Sequence, residues 1–276
     1  MYKKFLIVAS KQDQAGINIT TELSQFRKNP ILTSLNKDSK GFDFYLIEKD
    51  ILHTENLDLD KINQYDFIIF ASKHCSEKKE KTLCVHAPGN WGEAKFGGES
   101  KKICKSSALF QKQIFQKLKE NIEKYELKNY KVTLECTHHG PLIEKPCLFI
   151  EIGSTETEYR SRRAGFILAK TISDTIENFK ENPYNEIAIG IGGPHYCPEF
   201  TKLQLNSNVA ISHIIPKYVA PITEEMIKQA WEKTQEEPDF AIVDWKGLGK
   251  SEERQKVIEI LEKNYISWKK IKEIKR

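Results

Sequence analysis

Short apolar runs recur along the chain, at residues 5–9, 42–47, 67–71, 83–85, 131–135, 148–152, 187–191, 209–215 and 240–243. They are rich in Ile, Val and Phe, and several adjoin Gly, Pro or Asp, which predicts strands. Between two of them, Ala164, Ile167, Leu168, Thr171, Ile172, Thr175, Ile176 and Phe179 recur at intervals that form one apolar helical face. The pattern Thr155-Glu156-Thr157-Glu158 reads as the capping box that opens this helix, after a strand that turns through Gly153. Weaker helical patterns cover 15–26, 108–122, 223–234 and 252–261, the last opening with Ser251 and two glutamates that suit the helix dipole.

Strand and helix alternate often enough to predict an α/β fold with a central mixed β-sheet flanked by helices. No repeat, low-complexity stretch or linker divides the chain, so residues 1–276 are expected to form one unit. Glycines cluster at strand ends: Pro88-Gly89-Asn90, Gly97-Gly98, Gly140-Pro141, Gly153-Ser154 and Gly192-Gly193-Pro194. Ligands of open α/β sheets sit beyond such ends, so these turns are expected to converge on one cleft.

A hydrophobic fraction of 39% supports a real core, whereas a net charge of +4 excludes a general nucleic-acid coat. RNA contact must then come from local clusters. Eight lysines against four glutamates lie between Lys73 and Lys105, and six basic residues between Lys263 and Arg276. Either cluster also reads as a solvated surface. The six cysteines form no CxxC pair and no regular framework, which predicts reduced thiols and a cytoplasmic protein. The first ten residues hold an apolar run too short for a membrane span and read as a strand, not a signal peptide.

Three segments carry candidate chemistry. In Glu135-Cys136-Thr137-His138-His139-Gly140-Pro141, adjacent histidines enter a turn, and both rings can serve one site if the strand has ended before them. An imidazole is either a general base or a neutral metal ligand. In Gly192-Gly193-Pro194-His195-Tyr196-Cys197, His195 follows a strand, and the N–H of Gly193 is open to a developing oxyanion. In Val85-His86-Ala87-Pro88-Gly89-Asn90-Trp91, Trp91 either stacks on a base or packs in the core. Lys73 and His74 sit on the same predicted rim, His213 reads as a buried structural histidine, and Asp244 ends a strand where a carboxylate orients a histidine or binds a metal. No GxSxG elbow, HExxH helix, Rossmann fingerprint or Walker loop occurs. What remains is attack by water assisted by histidine or by metal.

Read in order, these segments resemble the archaeal and plant type of D-aminoacyl-tRNA deacylase. The collinear matches are Asp13, Ala15, Asn18 and Ile19; Ser72-Lys73-His74; His86-Ala87-Pro88-Gly89-Asn90; Thr137 to Pro141; Glu151 to Thr155; Gly192 to Tyr196; and His213 with Pro216 and Tyr218. Tyr159, where the family more often has tryptophan, and Cys75 depart from the pattern. The resemblance implies a fold similar to peptidyl-tRNA hydrolase and the phosphorylases, hydrolysis of the D-aminoacyl ester at the tRNA acceptor end, and zinc. Combined with the residue chemistry above, it gives His138, His139, His195 and Gly193 as the candidate catalytic residues, and His138, His139, Glu151, His195 and Asp244 as the candidate zinc ligands. On the substrate side the candidates are Lys73, His74, His86, Asn90, Trp91 and Asn18. A monomer that meets no membrane is expected. The alternatives are a phosphorylase acting on nucleosides or nucleotides in the same cleft, and a non-catalytic RNA-binding module.

Overall fold

The central strands form where the apolar runs are covered on both faces. The computed structural model describes residues 2–27, 40–181, 183–184 and 186–275. Strand β1 (Lys4–Ser10) shows the principle: Phe5, Ile7 and Ala9 join one core cluster, while Leu6 and Val8 join another on the opposite face.

Six strands make the first sheet: β1, β2 (Gly41–Ile47), β3 (Phe67–Cys75), β4 (Thr82–His86), β5 (Lys131–Leu134) and β6 (Cys147–Ser154), in the order β2-β1-β3-β6-β4-β5. All neighbours are parallel except β4 and β6, so the sheet is mixed as expected. A second, parallel sheet runs β10-β9-β7-β8, from β7 (Glu186–Ile191), β8 (Val209–Ile215), β9 (Phe240–Val243) and β10 (Trp268–Lys270). Of these, β10 goes beyond the sequence reading, because three half-buried residues in a basic tail show no apolar run.

Helices α1 (Gln14–Ser24) and α5 (Arg162–Asn178) lie against the first sheet, α3 (Ala108–Lys124) packs on α5 and on β8 of the second, and α2 is the single turn Leu59–Ile62. The apolar face read from Ala164 to Ile176 is buried on α5. Its start is not where the capping box placed it: Thr155–Glu158 belongs to a separate turn, α4 (Glu156–Tyr159), and the hydroxyl of Thr155 donates to Glu158 instead of accepting from an amide. Ser161 caps α5, accepting from the Ala164 N–H. Three more helices follow, α6 (Pro198–Asn206), α7 (Glu224–Glu232) and α8 (Ser251–Lys263). Among the described residues no helix is long and apolar enough to cross a membrane.

Candidate active site

The site stands on strands more than on the glycine turns beyond them. His74 lies near the end of β3, Cys84 and His86 on β4, and Glu151 inside β6. Because β4 runs against β6, Cys84 sits opposite Glu151 and His86 opposite Phe149, so all four side chains share one face. The His86 ring stacks on Phe149 at 5.1 Å and 4°. Glu135 follows β5 directly, its N–H still donating to the Val85 carbonyl at 3.1 Å.

The next residues explain how adjacent histidines reach one place. His139 takes a φ of 46°, a left-handed turn that ends the strand alternation and leaves the rings of His138 and His139 only 4.3 Å apart. The segment is pinned on both sides: Gly89 N–H donates to the His139 carbonyl at 2.7 Å, Cys136 N–H to His195 at 2.9 Å, and Thr137 N–H to Ile214 at 3.1 Å. These last two bonds bring His195, from the turn after β7, into the same cluster.

Three rings share one bonding pattern. The Nδ1 of His86 donates to the Ala87 carbonyl (3.2 Å), that of His138 to Cys136 (2.8 Å) and that of His139 to Gly140 (2.7 Å). Each bond fixes the tautomer with a bare Nε2, the arrangement of imidazoles prepared as metal ligands. These three residues offer ligand atoms within 4.8 Å of one another, as do His86, Glu135 and Glu151. Glu135 is the hub: Oε1 lies 3.1 Å from His74 Nδ1 and 3.6 Å from His195 Nε2, and Oε2 lies 3.7 Å from His138 Nε2 and 4.0 Å from His86 Nε2. Both its oxygens and His86 Nε2 are buried without a well-aligned hydrogen bond. Such orphaned atoms, converging from a His/Glu donor set, fit a zinc ion.

Charge is divided unevenly across the cluster. Burial, together with neighbouring imidazoles, holds His86 and His138 well below the usual histidine range, and burial brings His139 to about 4. They are therefore neutral at neutral pH. Burial raises Glu135, but the close approach of His195 and the pull of the imidazoles around it outweigh burial and set the carboxyl at about 2. Glu151 is pushed well up by burial and by Glu135. Burial lowers His195, yet Cys136 and Glu135 overcome it and lift the imidazole to about 10. Cys136 is lowered in turn to about 6, against its burial, by Cys197 and His195, so the cluster holds the Glu135 carboxylate, the Cys136 thiolate and the His195 imidazolium among neutral groups.

Above it opens a cleft of about 430 Å³, lined among others by Asp13, Asp50, Lys73, His74, Phe96, His138, His139, Glu151 and His195. Five residues expected from the sequence, Lys73, His74, His138, His139 and His195, and the candidate ligand Glu151 therefore meet there. His86 joins the cluster from beneath, fully buried, and not as a substrate contact. The other expected contacts are structural. Trp91 is 4% exposed and packs with Ile103 and Ile191 in a core cluster, so no base can stack on it. Asn90 Nδ2 donates to the Gly97 and Glu99 carbonyls, and Asn18 Nδ2 to those of Tyr159 and Ser161. Gly193 packs against Gly247 and the Asp244 carboxylate, and Asp244 Oδ1 accepts from Gly247 N–H at 2.9 Å. Neither lines the cleft, which removes the geometric support for an oxyanion donor at Gly193 and a ligand at Asp244. His213 is buried, bonded to the Thr137 hydroxyl at 3.1 Å, as the sequence suggested.

Glu135 is the residue that sequence reasoning missed. Its only signal was a carboxylate ending an apolar strand just before the paired histidines. Asp13 belongs to the site's support as well, capping α1 while Oδ2 accepts from Ser72 Oγ (3.0 Å) and Lys73 N–H (2.8 Å).

Comparison with known proteins places this chain in a family. The sequence profile of the family described as D-aminoacyl-tRNA deacylase matches residues 61–269, the stretch that holds every member of the cluster. A D-aminoacyl-tRNA deacylase of Thermococcus onnurineus is 38% identical over 266 residues, covering 91% of this chain and 93% of its own. One of Methanocaldococcus jannaschii is 34% identical over 276 residues, covering 97% and 100%. The crystal structure of AF0625, a conserved protein of unknown function, superposes with a TM-score of 0.86 at 28% identity and covers 99% of both chains.

Proposed function

The chain belongs to the D-aminoacyl-tRNA deacylase family, and we propose that the cleft over β3, β4 and β6 is where it hydrolyses the ester between a D-amino acid and tRNA. The family sets aside the phosphorylase and the non-catalytic module. One observation carries the location: His86 and His138 turn bare Nε2 atoms to within 4.0 Å of the buried Glu135 carboxylate at the floor of the cleft, and His139 offers a third ligand atom beside them.

His86, His138 and His139 are the residues that would hold a zinc ion, with Glu135 or Glu151 close enough to complete the set. Such an ion, when bound, polarises an ester carbonyl and makes a water acidic enough to attack it near neutral pH. The chain's own groups do the rest. Glu135 fixes the imidazoles and holds charge at the floor. His195, partly exposed and kept protonated, can hand a proton to the departing ribose oxygen, and Lys73 at the rim faces phosphate. An activated ester needs little more than positioning and charge stabilisation, which suits a site without a serine nucleophile.

The test is hydrolysis of matched D- and L-aminoacyl-tRNA, with and without chelator, by the native protein and by His138→Ala and His139→Ala. The D-ester is cleaved much faster, and each substitution lowers bound zinc in parallel with activity. Equal cleavage of both enantiomers, or of neither, refutes the assignment. Folded variants that keep full activity remove the pair from the site.

A further inference from the structure

The aromatic residue at the cleft mouth is Phe96, not Trp91, and it stands 67% exposed. A single exposed phenylalanine on an open surface needs no explanation. This one lines the same cleft as His138 and His139, and its backbone is fastened to the residue that follows them: the Phe96 carbonyl accepts from Gly140 N–H at 2.9 Å. The residues behind it leave no slack. Gly97 has a φ of 68°, and a Cβ there would meet the Leu52 carbonyl oxygen at 1.9 Å; one on Gly98 would lie 3.0 Å from Gly140 Cα. Asn90 Nδ2 donates to the Gly97 carbonyl at 2.8 Å, closing the loop from the other side. A flat apolar ring is thus presented to solvent from a fixed backbone, one residue from the tightest packing in the site.

We infer that Phe96 is the platform on which the terminal base of the tRNA stacks. The inference rests on the hydrolase reading above and adds the residue that holds the nucleoside. The amino acid is the blind end of the substrate, so with its carbonyl at the imidazoles the ribose and base follow toward the mouth. The ring found there is apolar and planar, matching a π-face, and Lys73 on the same cleft wall suits the phosphate beyond it. A platform already fixed loses little freedom when the base lands on it. The roles expected of Asn90 and Trp91 return in altered form: Asn90 holds the loop that carries the platform, and the stacking passes to Phe96.

The test is steady-state hydrolysis of D-aminoacyl-tRNA by the full-length protein carrying Phe96→Ala, Phe96→Leu or Phe96→Trp. Stacking predicts a KM raised roughly 5- to 100-fold in the Ala variant, with kcat largely kept. It predicts a similar rise for Leu, which keeps apolar bulk without the flat face, and near-native KM for Trp. A KM within about twofold of native for either Ala or Leu overturns the inference, as does a loss confined to kcat. Failure of the native protein itself to hydrolyse any D-aminoacyl-tRNA overturns instead the reading on which it rests. The side chain is mostly in solvent, so thermal unfolding of all three variants should match the native protein.

Discussion

Substituting Glu135 and Glu151 separately by Gln tests the uneven division of charge at the floor of the cleft. The two changes are chemically alike and both positions are buried, yet the outcomes should differ. Glu135→Gln removes the carboxylate that lies 3.1 to 4.0 Å from His74, His195, His138 and His86, and leaves the His195 proton without its counter-charge. Taking one partner from a buried ionic group costs about 3–5 kcal/mol. For a chain of this size that is a fall in Tm of roughly 6–20 °C. Glu151, held protonated by burial and by Glu135, is closely matched by a neutral amide, so its exchange should cost less than about 1 kcal/mol in chelator-treated protein. The sign of the pH dependence follows from the depressed carboxyl. The contribution of Glu135 is complete above its unfolded pKa of 4.5 and is lost as pH falls toward 2, so the gap between native protein and Glu135→Gln should close only in acid. Activity and zinc affinity of Glu135→Gln should fall by about 10- to 100-fold, the range for a group that orients metal ligands. Thermal unfolding after chelation, bound zinc and the hydrolysis rate measure all of this. A Glu135→Gln protein as stable as the native one, or a Glu151→Gln protein that falls as far, would refute the assignment of charge.

Two further outcomes are expected. Replacing Lys78, Lys79 and Lys81 together by Ala should weaken tRNA binding and flatten its salt dependence, by about 0.7–0.9 in the log–log slope for each phosphate no longer neutralised; an unchanged slope would make that stretch solvated surface only. Lys112 is buried on α3, donates to the Gln204 and Ser207 carbonyls at 2.7 and 2.8 Å, and is held by burial at a pKa of about 7. Between there and its ordinary 10.5 the unfolded chain carries a proton that the folded chain does not, so stability rises with pH by up to about 1.4 kcal/mol per unit. Lys112→Met should remove that rise, and equal slopes in urea unfolding across the window would disprove it.

Much of the scaffold was legible because its strands are covered on both sides and so read as unbroken apolar runs. The run at 67–71 extends to Cys75 only in three dimensions, where pairing with β6 carries the polar residues Lys73 and His74 along. The paired histidines were legible because a Gly-Pro turn follows them. Glu135 was not, since nothing local distinguishes a hub from a solvated strand end; its four partners lie between three and sixty-one residues away. Trp91 and Asn90 share a motif with His86, yet only His86 turns into the cluster while the other two serve the core and a loop, and a motif does not record which way each side chain points.

The hydrogen bonds from Cys136 to His195 and from Thr137 to Ile214 stitch the loop after β5 to the second sheet. The catalytic centre is therefore not the property of any contiguous fragment. As the chain leaves the ribosome, the first sheet can be complete in sequence before β7 and β8 exist, and at that moment His138 and His139 lack the neighbours that fix their turn. Contacts spanning such separations close late, after the chain entropy between them has been spent. Activity that depends on this turn would then appear late during synthesis, which makes it a readout of completed folding.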